Sequence, residues 1–277
     1  MKLTSNITLA GMNITYRYLP LSRFLDDMVS LGFTEVELWG GAPHFYSEDI
    51  EEKDIIAMRR TLSDRGFSLV CFTPEQCLYP INIASENTAM RKRSIDFFKR
   101  NIEITSELGC DLMLVTPGRG YIDGDSRVAA RRSADSLIEL VKTAEMNGVR
   151  LGLEVLRRDE SDIIYNLSTL KAMVETVDSR YLGALLDTIP MALAGEEPVD
   201  YLDEFKEKLF HIHFIDGAPH GHLAWGDGRL DEQGYLRQIK ESGYEGSLSL
   251  EITDARYVEN PFQAFRQSVE QLKAIKM

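Results

Sequence analysis

The strongest constraint on the fold is an alternation of short apolar runs with longer amphipathic segments along the chain. Eight runs are rich in Val, Ile, Leu and Phe and mostly lack alternating polar residues, as is typical of strands buried on both faces. The pattern therefore predicts eight buried strands. They are Ile7–Met12, Glu35–Trp39, Ser68–Thr73, Leu112–Thr116, Val149–Leu156, Leu182–Asp187, Phe210–Ile215 and Ser247–Ile252.

Helical patterns lie between these runs. In Leu21–Leu31 the apolar residues follow the three- and four-residue spacing of one helix face. Ile95–Leu108 and Ala134–Met146 behave similarly, and Gly148, just beyond the second of these, fits a helix end. The chain therefore alternates predicted strands with predicted helices.

The length of the chain suits eight such strand–helix units. Its 277 residues give about 35 residues per unit, and this alternation is the pattern of a (β/α)8 TIM barrel. A doubly wound parallel sheet is the alternative, but no glycine-rich phosphate-binding motif follows the first strand. No linker rich in Pro, Gly or Ser divides the chain. We predict an α/β protein with a single (β/α)8 barrel domain over residues 1–277.

The charge balance and the cysteines restrict partners and compartment. Lys and Arg number 31 against 44 Asp and Glu, so the net charge is −13. Nucleic acids and anionic lipids attract cationic surfaces, so we expect neither as a partner. The N-terminus lacks the apolar run of a signal peptide, and Cys71, Cys77 and Cys110 show no zinc-binding spacing. We predict a cytoplasmic protein with reduced thiols and no membrane partner.

Polar residues end four consecutive predicted strands, the fifth to the eighth. In a (β/α)8 barrel, active-site residues lie at these strand ends and in the loops that follow them. The residues are Glu154, Asp187, His213 and Glu251. Three converging carboxylates repel one another unless a cation compensates, and three oxygens with one nitrogen suit Mn²⁺, Mg²⁺ or Co²⁺. His211 projects to the same side of its strand as His213, so the spacing leaves open which histidine binds.

Two loops near the predicted site carry further candidates. Arg157–Glu160 follows the fifth strand, and Gly217–Arg229 contains two of the five histidines and several glycines. The second loop is either a glycine-rich turn before the next helix or a lid over the site. In the lid interpretation, His222 and Trp225 contact the substrate.

Aromatic residues near the end of the second strand are also candidates. Trp39 and His44 lie in the segment ELWGGAPHFY, at the predicted barrel mouth. Such side chains either cover the barrel or pack against the face of a sugar ring. We include both as candidate substrate contacts.

Segments along nearly the whole chain resemble the xylose-isomerase-like barrel family of sugar isomerases and epimerases. Within it, the sequence is most similar to the fructoselysine 3-epimerase branch and to the ketose (tagatose/psicose) 3-epimerases. The strand-end ligand set is typical of the superfamily, whereas ELWGGAPH and FTPEQ indicate the fructoselysine-like branch. The resembling segments are ELWGGAPH, FTPEQCLYPIN, LEVLRRDES, LLDT, HIHFIDG, GDGRL and SLSLEIT.

The resemblance implies a metal-dependent isomerase. One divalent cation, Mn²⁺ or alternatively Mg²⁺, Co²⁺ or Zn²⁺, would be held by Glu154, Asp187, His213 and Glu251, so the resemblance selects the second histidine of the pair. Glu154 and Glu251 would also act as acid and base. The implied activity is 3-epimerisation of a ketose or ketosamine, by deprotonation and reprotonation through a cis-enediolate.

The resemblance also bears on the small-molecule sugar substrate. It implies that Glu160 lies at the substrate. His222 matches a histidine of the fructoselysine-like branch, where ketohexose epimerases carry an arginine. Pro190 departs from the ketohexose epimerases, which have a substrate-contacting histidine three residues after the metal-binding Asp187. This departure favours a modified sugar over a simple ketohexose.

Three other functions stay open at this point. A metal-dependent dehydratase or lyase acting on a keto-sugar derivative would use the same metal and proton abstraction. An abasic-site endonuclease shares the barrel, but it needs more metal ligands, and the net charge of −13 disfavours it. A non-catalytic sugar-binding module is the third. Barrels that resemble this chain associate as homodimers or homotetramers, and no stretch of the sequence demonstrates such an interface.

Overall fold

Eight parallel strands form a closed barrel. A computed structural model describes residues 1–4, 6–76 and 80–275, and over these residues each strand pairs with its chain neighbours while β1 pairs with β8. The closure confirms the predicted (β/α)8 barrel, because a doubly wound sheet has two open edges. The strands are β1 (Ile7–Met12), β2 (Glu35–Gly40), β3 (Ser68–Pro74), β4 (Leu112–Val115), β5 (Arg150–Glu154), β6 (Leu182–Asp187), β7 (Leu209–His213) and β8 (Gly246–Leu250).

The strand bounds match those predicted to within a few residues. β1 and β6 have the predicted bounds. The predicted fifth strand, Val149–Leu156, is longer than β5, because the chain leaves the sheet after Glu154. Glu251 was expected inside the last strand but lies one residue beyond it, since β8 ends at Leu250.

Helices surround the barrel. Leu21–Leu31 is helical as predicted. Two later helices begin before their apolar pattern does, directly after the caps Asn87 and Asp125, whose side chains accept backbone N–H groups. Gly148 ends the second of these with a φ of 67°, a conformation that favours glycine. No helix of the described ranges is long and apolar enough to cross a membrane. The α-helices of those ranges are α1 (Leu21–Leu31), α2 (Glu52–Asp64), α3 (Thr88–Glu107), α4 (Ser126–Asn147), α5 (Leu167–Val177), α6 (Thr188–Leu193), α7 (Pro198–Phe205), α8 (Glu232–Glu241) and α9 (Pro261–Ala274).

Two apolar layers hold the barrel together. The larger lies between the strands and the helices, and the smaller contains Cys71, Leu112, Leu114 and Leu185 inside the barrel. Cys71 and Cys110 are buried free thiols, as predicted, and Cys77 lies outside the described residues. The smaller layer fills part of the barrel interior with side chains, as is usual in this fold.

Candidate active site

Four polar side chains meet at the C-terminal end of the barrel. Glu154, Asp187 and His213 are the last residues of β5, β6 and β7, and Glu251 follows β8 directly. Their ligand atoms all lie within 4.8 Å of one another. The topology causes this convergence, because neighbouring parallel strands end at the same rim. The structure thus brings together the four residues that the sequence placed at strand ends; we name them the carboxylate cluster.

One imidazole nitrogen sits at the centre of the carboxylate cluster. Nδ1 of His213 lies 3.0 Å from Glu154 Oε1 and 3.0 Å from Glu251 Oε2. Among the described residues, neither this nitrogen nor Glu251 Oε2 has a partner with hydrogen-bond geometry, although both atoms are buried. Buried polar atoms normally have partners, and a cation shared by the cluster would serve both. The donor set therefore fits a divalent metal ion.

A buried glutamate lies beneath the cluster. Glu37, in the middle of β2, has Oε2 3.0 Å from Nε2 of His211 and Oε1 3.1 Å from Nε2 of His213. The Thr73 hydroxyl also donates to this carboxylate. A carboxylate that accepts the N–H of one ring nitrogen leaves the other nitrogen to act as a ligand. Glu37 therefore orients His213 with Nδ1 towards the cluster.

The two histidines of β7 occupy different depths. His213 belongs to the carboxylate cluster, whereas Nε2 of His211 lies 2.8 Å from Ser249 Oγ and also contacts Glu37. The sequence pattern left open which histidine joins the carboxylates. The structure places His213 in the carboxylate cluster and His211, two residues earlier on β7, deeper in the barrel.

The carboxyl groups of the cluster differ in their proton affinity. Burial, with repulsion from Glu251 and Asp187, raises the pKa of Glu154 to about 8. Burial likewise raises the pKa of Asp187 to about 6. Burial acts in the same direction on Glu251, but the neighbouring charges of His213 and His222 outweigh it and lower the pKa to about 2. At neutral pH the metal-free cluster therefore combines a protonated Glu154 with an ionised Glu251.

His222, in the loop after β7, closes one side of the cluster. Its Nε2 lies 3.4 Å from Asp187 Oδ2, and its Nδ1 lies 3.2 Å from Glu251 Oε2. Burial disfavours the charged imidazole, yet the two carboxylates raise its pKa to about 9. The glycine-rich segment thus contributes the His222 side chain to the site, and its substrate contact stays a prediction.

The carboxylate of Asp216 holds the conformation of the loop after β7. A Cβ atom at Gly228 would lie 2.2 Å from Asp216 Oδ1, so the close approach of loop and carboxylate requires glycine there. The loop conformation that presents His222 therefore depends on Asp216. The backbone N–H groups that donate to the buried Asp216 carboxylate belong to Gly217, Gly226, Gly228 and Leu230.

Glu160 lies in the loop after β5, at the border of the site. Its Oε1 is 2.6 Å from Arg157 Nη2, and its side chain is 19% exposed. It lines a narrow cavity together with Gln76 and Thr116, and its charge helps to raise the pKa of His222. This position is compatible with the predicted substrate contact of Glu160, which stays a prediction.

The two aromatic candidates at the end of β2, Trp39 within the strand and His44 after it, differ in their surroundings. The Trp39 indole N–H donates to Glu75 Oε2 at 2.8 Å, and the pKa of Glu75 is raised by burial and by a nearby cluster carboxylate. Nδ1 of His44 lies 2.9 Å from Asn13 Nδ2, and its Nε2 lies 2.8 Å from the Leu19 carbonyl oxygen. Trp39 is thus held near the cluster, whereas the polar atoms of His44 are occupied by the surrounding loops.

Trp225 is part of the core. Its side chain has no exposed surface, its ring lies 4.5 Å from that of Phe214, and its indole N–H donates to the Phe214 carbonyl oxygen. This placement corrects the expectation that Trp225 contacts substrate. The loop turns the indole inward because burying so large an apolar ring is favourable once its N–H has a partner.

Glu37, Glu75 and Asp216 escaped the analysis of the sequence. Glu37 lies in the middle of a strand, whereas only strand ends were searched. Its signal was an ionisable side chain inside an apolar run, a residue type that is rarely buried unless paired. Asp216 had no distinguishing pattern, because its partners are backbone groups of residues up to 14 positions further along the chain.

Comparison with known proteins identifies the family. Residues 25–275 match the family described as xylose isomerase-like TIM barrel. The chain is 28% identical to a fructoselysine 3-epimerase of Shigella flexneri, covering 94% of this chain and 95% of that protein. It is 25% identical to a 3-dehydroshikimate dehydratase of Pseudomonas aeruginosa, covering 87% of this chain and 37% of that protein. A crystal structure of apo 3-keto-D-glucoside 4-epimerase from E. coli superposes with a TM-score of 0.81 at 18% identity, covering 96% of this chain and 99% of that one.

The chain belongs to the xylose isomerase-like TIM barrel family. The named epimerases among its relatives share this fold and confirm the prediction of an enzyme of the isomerase class. A family of sugar-converting enzymes also agrees with the expectation of a small-molecule sugar substrate.

Proposed function

We propose that the protein is a metal-dependent sugar epimerase that inverts C3 of a ketose or ketosamine. The observation that carries the proposal is the approach of Glu154 and Glu251 to one nitrogen of His213, each at 3.0 Å. The two glutamates come from β5 and from the end of β8, which lie across the barrel from each other. Inversion of a carbon needs a base on one face and an acid on the other, and this pair supplies both.

The carboxylate cluster would hold one divalent cation. Three carboxylates and one imidazole favour Mn²⁺, with Mg²⁺, Co²⁺ and Zn²⁺ as alternatives. When bound, such a cation polarises the carbonyl of the sugar and so acidifies the neighbouring C–H. On the protein side, Glu37 keeps Nε2 of His213 occupied, so Nδ1 stays available in a fixed orientation.

The proton affinities of the two glutamates support their roles. Glu251, with a pKa lowered to about 2, is ionised and can accept the C3 proton. In the metal-free cluster Glu154, with a pKa raised to about 8, has the higher proton affinity of the two glutamates, which favours it as the group that delivers a proton to the opposite face. Pairs of carboxyl groups whose surroundings push their pKa values apart are typical of acid–base catalysis. In the reverse reaction the two roles exchange.

A modified sugar is the favoured substrate. The similarity to a fructoselysine 3-epimerase covers nearly both chains. In addition, Pro190 in α6 is buried and offers no polar side-chain group three residues after Asp187. A ketosamine therefore agrees better with this site than a simple ketohexose.

A dehydratase or lyase acting on a keto-sugar derivative is the second candidate. The similarity to a 3-dehydroshikimate dehydratase over 250 residues favours it. The same glutamate would remove the proton, but loss of water or of another leaving group would replace reprotonation. Analysis of the product separates the two reactions.

The proposal is tested by incubating the protein with Mn²⁺ and a panel of ketoses and ketosamines in D₂O. We expect deuterium at C3 and formation of the inverted epimer by NMR, and loss of both when EDTA is added. An elimination product would favour the dehydratase. Exchange at C3 that survives chelation would contradict the metal dependence.

A further inference from the structure

A cavity of about 490 Å³ lies where the loop between β4 and α4 meets the segment before α3, with α4 forming another wall. We name it the side cavity. Within the described ranges, no residue of the carboxylate cluster lines it, so it is distinct from the candidate active site and the proposed reaction does not use it. Its lining includes Asn82, Arg119, Tyr121, Ile122 and Arg132.

Two arginine side chains in the side cavity have a carbonyl group where a carboxylate could pair with them. Arg119 Nη1 donates to the Asp159 carbonyl oxygen at 2.7 Å, and Arg132 Nε donates to the Ala84 carbonyl oxygen at 2.8 Å. These are the only hydrogen bonds that the two guanidinium groups make with the described part of the chain. Because a guanidinium has five N–H groups, most of the donors in this pair remain available to a ligand.

The charge of the side cavity differs from that of the chain as a whole. The net charge of the chain is −13, yet over the described ranges no carboxylate lies within 4.0 Å of either guanidinium. Glu86 is the one acidic residue of the described lining, and it is exposed to solvent. Guanidinium groups without a carboxylate partner match the geometry of phosphate and carboxylate ligands. The side cavity therefore has the charge of an anion-binding site.

Both arginines are fixed to the same short segment. Asn82 Nδ2 donates to the Arg119 carbonyl oxygen at 3.0 Å, and Asn82 Oδ1 accepts the Arg119 N–H at 3.2 Å. The same Oδ1 accepts the N–H of Ala84 at 3.0 Å, and the carbonyl oxygen of Ala84 holds Arg132. A Cβ atom at Gly118, whose φ is 73°, would lie 2.4 Å from Asn82 Oδ1, so this packing requires glycine. The two cations are therefore held on one wall before a ligand binds.

Apolar surface lies beside these cations. Tyr121 is 63% exposed and Ile122 is 92% exposed, and both line the side cavity together with the half-buried Met90. Exposed apolar surface of this kind beside a cavity is typical of ligand-binding grooves. The combination of two cations with an aromatic and an aliphatic side chain suits an anion that carries an apolar group.

We propose that the side cavity binds a small phosphate monoester with an aromatic or other apolar body, at a site separate from the active site. The phosphate lies between Arg119 and Arg132, and the apolar body packs against Tyr121 and Ile122. Two guanidinium groups balance the charge of about −2 that a phosphate monoester carries at neutral pH. A carboxylate would leave one of the two cations without a counter-charge. The inference goes beyond the proposed function and does not depend on it.

Matched ligands test this assignment without requiring turnover. Phenyl phosphate is the probe; phenyl sulfate has nearly the same shape and one negative charge fewer, benzoate offers a carboxylate, and inorganic phosphate lacks the ring. Titration calorimetry on the Mn²⁺-loaded protein should give phenyl phosphate a Kd of about 1 mM or tighter, and about 10-fold tighter binding than any of the other three. Equal affinity for any of the three, or no binding of phenyl phosphate at about 10 mM, would overturn the proposal.

Variants of the arginines localise the phosphate. Arg119→Gln and Arg132→Gln should each keep the circular dichroism spectrum of the wild type and weaken phenyl phosphate binding by about 10-fold or more. Arg132→Lys keeps the charge and should retain part of the affinity. Arg131→Gln removes the same charge from the exposed face of α4 and should bind as the wild type does. Wild-type affinity in both cavity variants would show that the phosphate binds elsewhere.

A variant of the apolar wall localises the ring. Tyr121→Ser should weaken phenyl phosphate binding by about 3- to 10-fold and leave the affinity for inorganic phosphate unchanged. Tyr18→Ser is the matched control, because Tyr18 is 73% exposed and does not line the side cavity. Unchanged binding of phenyl phosphate in the Tyr121 variant would contradict the position given to the apolar body.

Chelation separates this site from the active site. EDTA should abolish hydrogen exchange at C3 and leave phenyl phosphate binding unchanged, because no cluster residue lines the side cavity within the described ranges. Loss of phenyl phosphate binding on chelation would place the phosphate at the metal and overturn the proposal. If phenyl phosphate binds as expected but no ketose or ketosamine exchanges hydrogen at C3, the side cavity assignment stands and the epimerase proposal fails.

Discussion

Glu37 Oε1 lies 3.1 Å from Nε2 of His213, the ring nitrogen opposite the one that faces Glu154 and Glu251. Burial opposes the ionisation of Glu37, yet the charges of His213 and His211 hold its pKa well below the usual range. Burial also opposes the charged form of His213, but Glu251 and Glu37 raise its pKa well above the usual range. The carboxylate cluster at the barrel mouth is therefore supported from inside the barrel by a buried ion pair of Glu37 and His213.

Replacing this glutamate should weaken metal binding. In Glu37→Gln the neutral carboxamide cannot accept hydrogen bonds from both histidines as the carboxylate does. His213 therefore loses its fixed orientation and some of its basicity. We expect the Kd for Mn²⁺ to rise by about 10- to 100-fold, as measured by calorimetry. Glu35→Gln is the matched control, because Glu35 begins the same strand and its carboxylate accepts from the Ser247 hydroxyl at the other end of the barrel. A wild-type Kd in the Glu37 variant would refute the role given to it.

Metal affinity should rise with pH between 6 and 8. Below pH 8 Glu154 carries a proton, and below pH 6 Asp187 does too, while the raised pKa of His213 adds another proton at neutral pH. A cation displaces these protons, so each one weakens the apparent affinity by about tenfold for every unit that the pH falls below its pKa.

Calorimetry in two buffers of different ionisation enthalpy counts the protons released on binding Mn²⁺. At pH 7 the wild type should release at least one, and Glu154→Gln should release about one fewer. An affinity that is flat from pH 6 to 8, with no proton release, would contradict the raised pKa values of the cluster.

The fold was accessible from the sequence because its signal is periodic and local. The β6 bounds Leu182–Asp187 follow from an apolar run that ends in a polar residue, and α1 follows from its amphipathic spacing. The starts of α3 and α4 were missed because their first turns are polar and are stabilised by the caps Asn87 and Asp125, not by an apolar face. Hydrophobic periodicity therefore marks the centre of a helix better than its ends.

The site was only partly accessible. Glu154, Asp187 and Glu251 stand where strands end, so the repeat length alone predicts that they converge. Glu37 could not be found in this way, because its partner His213 is 176 residues away in the sequence. A single glutamate inside an apolar strand does not by itself indicate a functional role. Contacts across the barrel depend on the three-dimensional register of strands, which local patterns do not carry.

The loop after β7 should lose its order when its central carboxylate is replaced. In Asp216→Asn the amide NH₂ would face backbone N–H groups, which leaves at least one buried donor without a partner, at a cost of about 1–3 kcal/mol. We expect lower thermal stability and faster amide hydrogen exchange across 217–230. Asp227→Asn is the control in the same loop, since the exposed Asp227 accepts from Tyr257 and Gln267, and it should change exchange far less. Unchanged protection in the Asp216 variant would show that the loop is held by other contacts.

The central claim is that Glu154 and Glu251 move the C3 proton, and hydrogen exchange at C3 in D₂O tests it most directly. With Mn²⁺ at saturating concentration, Glu154→Gln and Glu251→Gln should each keep the circular dichroism spectrum of the wild type and lose exchange by about 10²- to 10⁴-fold. Glu241→Gln, on the exposed end of α8, should exchange at the wild-type rate. Wild-type exchange in either cluster variant would contradict the account.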